Sequence, residues 1–279
     1  MKLWQKKPAP ALPPVGVGLY DVHDALESTR SGQVVLGLGE TGPMMLDLEF
    51  SHTLIVGDTG SGTSGLVRTV LAQALADGAE VVIVDRARLS HRWTQGHPDV
   101  TQVWTLDEIA GELVRLGEEL ERRQAAAASD ALNSRRLVLA IEHRAGLAEA
   151  LQERWMELRQ TGDPKRSPAA EALQALEWCS PLLGIHLVAT ANSGVWMSAQ
   201  ARAPYGIRIL SGRVGELAWP VFTNGLPRPL AATSRRPGRF WVVRGVTTVP
   251  LTALHLLAEE AQHLPAALIA AARREWGVA

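Results

Sequence analysis

Residues Gly57 to Ser64, Gly-Asp-Thr-Gly-Ser-Gly-Thr-Ser, have the spacing of a phosphate cradle. In the pattern G-x-x-x-x-G-K-[ST], glycines let the backbone curl until successive N–H groups point inward, and the helix that follows adds the positive end of its dipole. Gly57, Gly60 and Gly62 supply the curl, Asp58, Thr59, Ser61 and Gly65 complete the stretch, and Ser64 stands where a hydroxyl would bind Mg²⁺. The lysine position, however, holds Thr63. A lysine there places a full positive charge between the outer phosphates. One charge-assisted hydrogen bond is worth about 1.5–3 kcal/mol, or roughly tenfold to hundredfold in affinity. Its loss weighs more in the transition state, where charge develops. The pattern implies a site for ATP or ADP with Mg²⁺ in which binding is weak or lost and hydrolysis is weak or absent. The four lysines are Lys2, Lys6, Lys7 and Lys165, against 24 arginines. A replacement cation near the loop in sequence must therefore be an arginine, such as Arg68 or Arg86.

The elements that must hold this loop are legible on either side of it. "HTLIVG", ending at Gly57, is a short apolar run of the kind that forms a buried parallel strand. From Ser64, Leu66, Val67, Val70, Leu71 and Leu75 recur at helical spacing until Gly78. "VVLGLGETGPMMLDLEF" predicts two strands around Glu40-Thr41-Gly42-Pro43, and "EVVIVD" predicts another. The apolar run around Val103 and Trp104 is a further strand candidate. Thr105 and Glu108 form a capping box, opening a helix with Ile109, Leu113, Leu116 and Leu120 on one face. Glu112, Arg115, Glu118, Glu119, Arg122 and Arg123 lie on the other face, expected to be solvated. "RLVLAIEH", "GIHLVATA" and "GIRILSG" read as strands, with helices expected over 145–160 and 169–179. The tail suggests a hairpin in "GRFWVVRGVTTVPL", then helical segments over 254–262 and 265–276. Alternating buried strands and amphipathic helices predict an α/β fold, a mainly parallel sheet with helices on both faces.

At 279 residues, 46% hydrophobic, the chain can bury one large core. Its net charge of -1 lacks the basic balance of a stand-alone nucleic-acid binder, so DNA contact would have to be local. No apolar run approaches the length of a membrane span, and the N-terminus lacks the apolar stretch of a signal peptide, so a cytoplasmic location is expected. The lone Cys179 excludes an internal disulfide framework and reads as a buried small hydrophobe. Residues 1–19 are expected to form a proline-rich flexible arm, 20–250 the main domain and 251–279 a C-terminal helical segment.

Taken together, "LGLGETGPMMLDLEFSHTLIVGDTGSGTSGLVRTVLAQALAD" resembles the FtsK/SpoIIIE family of DNA-pumping ATPases. There a phrase G-x-D-x-x-G-x-P-x-x-x-D-L precedes H-x-L-x-x-G-x-T-G-S-G-K-S. The resemblance continues through "EVVIVDRAR", "RLVLAIEHRAGL", "LLGIHLVATA" and "ARAPYGIRILSGRV" to about residue 250. It implies a RecA-like P-loop fold. It also marks the departures. Glu142 stands at the family's Mg²⁺-organising aspartate, and His143 at its water-activating glutamate, so these are the degenerate catalytic and metal positions. Ala191 replaces a phosphate-sensing glutamine, and Asp85 lacks a lysine partner. Arg202 and Arg208 lie near where relatives present an arginine to a neighbouring subunit, although surface arginines would read the same way.

Arg235, Arg236 and Arg239 in "RPLAATSRRPGRF" are candidates for a phosphate backbone or for a solvated loop. The nine tryptophans suit half-buried packing or partner docking, Trp4 and Trp276 being docking candidates. The resemblance implies a pseudo-ATPase serving as a structural or regulatory subunit, a homo- or hetero-oligomer with FtsK-like ATPase subunits, in a bacterial machine moving double-stranded DNA, as in plasmid transfer. The alternatives are an active DNA translocase using an arginine for the lysine, and a degenerate secretion-system domain that binds a protein signal.

Overall fold

A computed structural model describes residues 16–126, 134–179, 181–229 and 236–264. Its strands are β1 (Gln33–Leu38), β2 (Pro43–Asp47), β3 (Thr53–Val56), β4 (Glu80–Val84), β5 (Val100–Val103), β6 (Leu137–Ile141), β7 (Ile185–Ala191), β8 (Ile207–Ser211), β9 (Arg239–Arg244) and β10 (Thr247–Ala253). They form one ten-stranded sheet in the order β2-β1-β10-β9-β8-β3-β7-β6-β4-β5. From β8 to β5 all neighbours are parallel, while β9, β10, β1 and β2 extend the sheet by antiparallel pairing. The sheet is mainly parallel, as the strand–helix alternation requires.

The helices are α1 (His23–Glu27), α2 (Thr63–Ala76), α3 (Leu106–Ala126), α4 (Leu147–Leu158), α5 (Pro168–Cys179), α6 (Ala199–Arg202) and α7 (Trp219–Thr223). Because strand side chains alternate between faces, the central strands feed two cores. Ile55, Val81, Ile83 and Val138 pack with Leu66, Val67, Val70 and Leu71 of α2 on one face. Leu54, Val56, Val82, Val84 and Leu139 pack on the other with α3, through Ile109, Leu113, Leu116 and Leu120, and with α5. Short apolar strands buried on both sides are what a sheet covered by helices demands.

The start of α3 is the capping box: Thr105 Oγ1 accepts from the Glu108 N–H at 3.2 Å, and Glu108 accepts from the Thr105 N–H at 3.0 Å. One residue departs from the solvated face. Arg123 is buried, because its guanidinium donates to the carbonyls of Leu183, Gly184 and Arg135 and pairs with Glu119. Helical spacing placed its Cα on the polar side, but a long side chain can fold back over exposed carbonyls.

At the tail the hairpin is β9 with β10, paired from Thr247↔Arg244 to Thr252↔Arg239. Leu254, expected in a helix, instead bridges to Val17, and helix occupies 258–264. Pairing of β10 with β1 draws this stretch into the sheet, a long-range contact that local periodicity does not report. Trp93, Trp219 and Trp241 are buried, whereas Trp178 and Trp196 are 52% and 76% exposed. Trp4, Trp276, the helix expected over 265–276 and Arg235 lie outside the described residues.

Candidate functional site

The cradle lies where the sheet's connections change direction. β3 is flanked by β7 on one side and β8 on the other, and ligands of open α/β sheets bind beyond strand ends at such a switch point. The Gly57 N–H donates to Ala191 O at 3.0 Å, tying the end of β3 to β7. Gly60 (φ 75°) and Gly62 (φ 98°) take the left-handed conformation, and Gly62 is the N-cap of α2. Thr63, Ser64 and Gly65 form its first turn, all half-buried. Gly57 is held to glycine by crowding: an added Cβ would lie 2.5 Å from Ser61 Oγ and 2.9 Å from both Ser211 Cβ and Thr63 Cγ2. Ser61 is 1% exposed, and its Oγ has no hydrogen-bond partner.

Three other segments brace the loop. The Asp58 carboxylate accepts from Ser193 Oγ at 2.6 Å and from the Ser193 N–H at 3.2 Å, beyond β7. The Gly238 N–H donates to Ser61 O at 2.9 Å. Arg213, just past β8, points a guanidinium nitrogen at Thr59 O, 3.4 Å away.

The acidic strand is arranged differently. Glu142, directly after β6, is 4% exposed. One oxygen accepts from His91 Nε2 at 2.8 Å and the other from Thr190 Oγ1 at 2.7 Å. Burial pushes its pKa up, but the hydrogen bond and charge of His91 and the bond from Thr190 outweigh it, holding the carboxyl below its ordinary value. His143 has φ 58° and an exposed side chain, and its N–H donates to Thr190 Oγ1 at 2.9 Å. Asp85, at the end of β4, explains how His91 arrives. Its carboxylate accepts from the N–H groups of Ala87, Arg88, Leu89 and Ser90, folding the loop that carries His91 inward. Arg88 lies over the Trp104 ring at 3.9 Å and steadies the same loop.

Behind Glu142, Arg144 makes a bidentate pair with Glu177 at 2.7 and 3.0 Å, and Tyr205 donates to Glu177 at 2.7 Å. Arg202 and Arg208 are 7% and 8% exposed. Arg208 is the second residue of β8, at the end of the strand opposite the cradle, and its guanidinium donates to the carbonyls of Tyr205, Phe222 and Arg202 and to Asn224 Oδ1. Arg202 donates to Met197 O. These contacts engage the Arg208 guanidinium within this chain, whereas Arg202 Nε is buried without a hydrogen-bond partner.

Because β9 is antiparallel to β8, its first residue returns to the cradle end. Arg239 O accepts from the Gly212 N–H at 2.9 Å, so Arg236 and Arg239 stand beside the phosphate loop. Arg239 donates to Thr252 Oγ1 at 2.6 Å and is half-buried, while Arg236 is exposed. His91, Ser193 and Arg213 were missed by sequence reasoning. Arg213 alone carried a signal, two residues past the end of a strand already recognised.

No protein-family model matches the chain, and no curated protein matches it. Solved structures do. The pCW3 conjugation coupling protein TcpA, in its monomer form with ATPgS, superposes at a TM-score of 0.68 with 19% identity, over 92% of this chain and 74% of that one. The cytoplasmic domain of the Thermomonospora curvata type VII secretion ATPase EccC gives 0.60 and 19%, over 95% of this chain and 33% of that one. ATPases 2 and 3 of the same EccC, in complex with a signal sequence peptide, give 0.63 and 15%, over 91% and 46%. The chain thus spans less than half the length of either EccC structure. The fold is that of the RecA-like P-loop ATPases, and the matched structures are of the FtsK/SpoIIIE type.

Proposed function

We propose that this chain is a nucleotide-holding P-loop subunit of a transfer machine, in which hydrolysis is feeble or absent. The observation that carries the reading is the state of Glu142, whose two oxygens are both occupied by His91 and Thr190, beside a cradle that keeps its shape around Thr63. The cradle suits phosphate: its glycines leave no room for side chains at Gly57, and the buried Ser61 Oγ awaits a partner. The residues suit Mg²⁺ less well. Ser64 remains at the first turn of α2, but the carboxylate that would organise the ion is engaged within the fold.

Bound nucleotide would be oriented by the backbone N–H groups of residues 57–65 and by the positive end of α2. His143 has a side chain that is exposed, and a neutral imidazole is a poor substitute for a carboxylate base. With both the lysine and the free acid missing, a P-loop protein keeps binding longer than turnover, since the lost charges matter most in the transition state. The coupling-protein and secretion-ATPase neighbours support a role in moving DNA or protein, as a cytoplasmic partner of active ATPase subunits.

A titration of fluorescent ATP with and without Mg²⁺, paired with steady-state ATPase with double-stranded DNA, tests the reading. Binding with turnover far below about one per second is expected. Brisk hydrolysis would refute it. Protein cargo has an observation of its own: a groove of 580 Å³ between α4, α5 and the segment before α6 is rimmed by the exposed Trp178 and Trp196. Loss of DNA stimulation together with peptide binding there would favour that version.

A further inference from the structure

We infer that Arg213 supplies the positive charge that Thr63 cannot, so that the cradle's cation is carried by β8 rather than by α2. The inference rests on the nucleotide reading above and names the residue that makes it work.

The placement follows from register. β8 runs parallel to β3 with Leu210 opposite Val56, so the residues just past Ser211 arrive where the cradle begins. The turn is fixed at each step. The Arg213 N–H donates to Ser211 Oγ at 3.2 Å, and the Gly212 N–H donates to Arg239 O at 2.9 Å. Arg228 donates to Gly212 O at 3.1 Å. From that turn the half-buried Arg213 side chain reaches Thr59 O, and its Nη1 lies 3.4 Å from the place a Cβ on Gly60 would occupy. The glycine in the middle of the cradle is therefore the point that the guanidinium faces.

A second feature points to a ligand independently. Ser61 is buried with its Oγ unpartnered, 2.5 Å from the Cβ position of Gly57 and so turned into the curl of the loop. A buried hydroxyl without a partner is costly unless something meets it. A phosphate oxygen would accept its hydrogen bond while also meeting the N–H groups of the loop and the guanidinium.

The other candidate cations fail on geometry. Arg68 sits on α2 but turns away, donating to Leu256 O at 3.1 Å, and burial lowers its pKa. Arg86 is exposed beyond β4, which β6 and β7 separate from β3. The one carboxylate in the cradle, Asp58, is held by Ser193. The surrounding charge is otherwise basic, with Arg228 on Gly212 and Arg236 close enough to Arg239 to lower its pKa, after burial. A planar guanidinium also suits phosphate recognition by two parallel hydrogen bonds, which a lysine cannot offer.

The test is a fluorescent-ATP titration on the full chain in EDTA and in Mg²⁺, with melting temperatures recorded for every variant. Arg213→Ala is expected to weaken binding tenfold to hundredfold, while Arg213→Lys keeps most of it and Arg68→Ala leaves it unchanged. Adding Thr63→Lys to Arg213→Ala is expected to recover at least tenfold, a rescue that a merely structural role for Arg213 would not give. If the wild type binds and Arg213→Ala binds equally well, this inference falls and the nucleotide reading stands. If the wild type takes up no ATP at millimolar concentration, both fall. Should Arg213→Ala melt early, the Arg213→Lys and Thr63→Lys pair decides: no gain from the lysine at position 63 overturns the assignment.

Discussion

The cradle after β3 and the acidic end of β6 sit at the same edge of the sheet with only β7 between them, and they satisfy their polar groups in opposite ways. The cradle is braced from outside, by Ser193, Gly238 and Arg213, and its inward-facing Ser61 Oγ is left unmet. At Glu142 every oxygen is met from within, by His91 and Thr190. The difference is one of cost. Backbone N–H groups at a helix start tolerate water as a stand-in, but a buried carboxylate without a partner is among the most expensive things a fold can hold. A buried acid therefore has to be partnered within the fold, whereas an open loop does not.

The sharpest contrast to either region comes from the opposite edge of the sheet, and the largest predicted effect is acid lability there. His52 accepts from the Leu187 N–H and donates to Leu176 O, which defines its ring as neutral, while His186 donates to Leu48 O and meets Thr53 Oγ1. Burial pushes His52 down to about 4, against its backbone bonds. Burial, then the nearby His52, pushes His186 down to about 3. Below 6.5 the unfolded chain gains protons that the folded one refuses, so stability is full above that pH and falls as pH drops toward the folded values. Each ring contributes a slope of about 1.4 kcal/mol per pH unit. Urea midpoints between pH 7 and 5 should show it, and His186→Gln should remove about half.

Glu142 adds nothing in that window. Its lowered pKa gives stability that is present above 4.5 and lost only as pH falls below it.

Next in size is the acid itself. His91→Ala strands the Glu142 carboxylate with Thr190 alone and should cost about 3 kcal/mol in a denaturant melt. Combining it with Glu142→Gln should recover part of that, a coupling above about 1 kcal/mol in the double-mutant cycle. Additive losses would break the contrast drawn between the two regions.

Gly57→Ala probes the cradle from the other side. The crowding there should cost about 1–3 kcal/mol and abolish nucleotide uptake, so full binding by a stable Gly57→Ala chain would show that the loop's curl is not the site. The smallest effect is expected far from both, on the solvated face of α3. Arg122 pairs with Glu119 at 2.7 Å in the open, and Arg122→Ala should leave the urea midpoint essentially unchanged.

Much of this was readable in the chain, and the reason is locality. The curl of 57–64, the start of α2, the capping box at Thr105 and the buried strands all depend on residues within a few positions of one another. The cradle could be located for the same reason, whereas Glu142 was singled out only by the resemblance to the FtsK/SpoIIIE family. What could not be read is who meets them. His91 reaches Glu142 across 51 positions of sequence because Asp85 folds the loop that carries it, and Arg213 reaches Thr59 across 154. The burial of Arg202 and Arg208 likewise depends on α7 and on the turn before β8.

The sequence by itself determined the backbone of the site: glycines where only glycine fits, apolar runs of strand length, and a threonine where a charge was due. Only the tertiary structure decided the charges, because register across parallel strands, rather than spacing along the chain, selects which side chain fills the space beside a buried oxygen or an open loop.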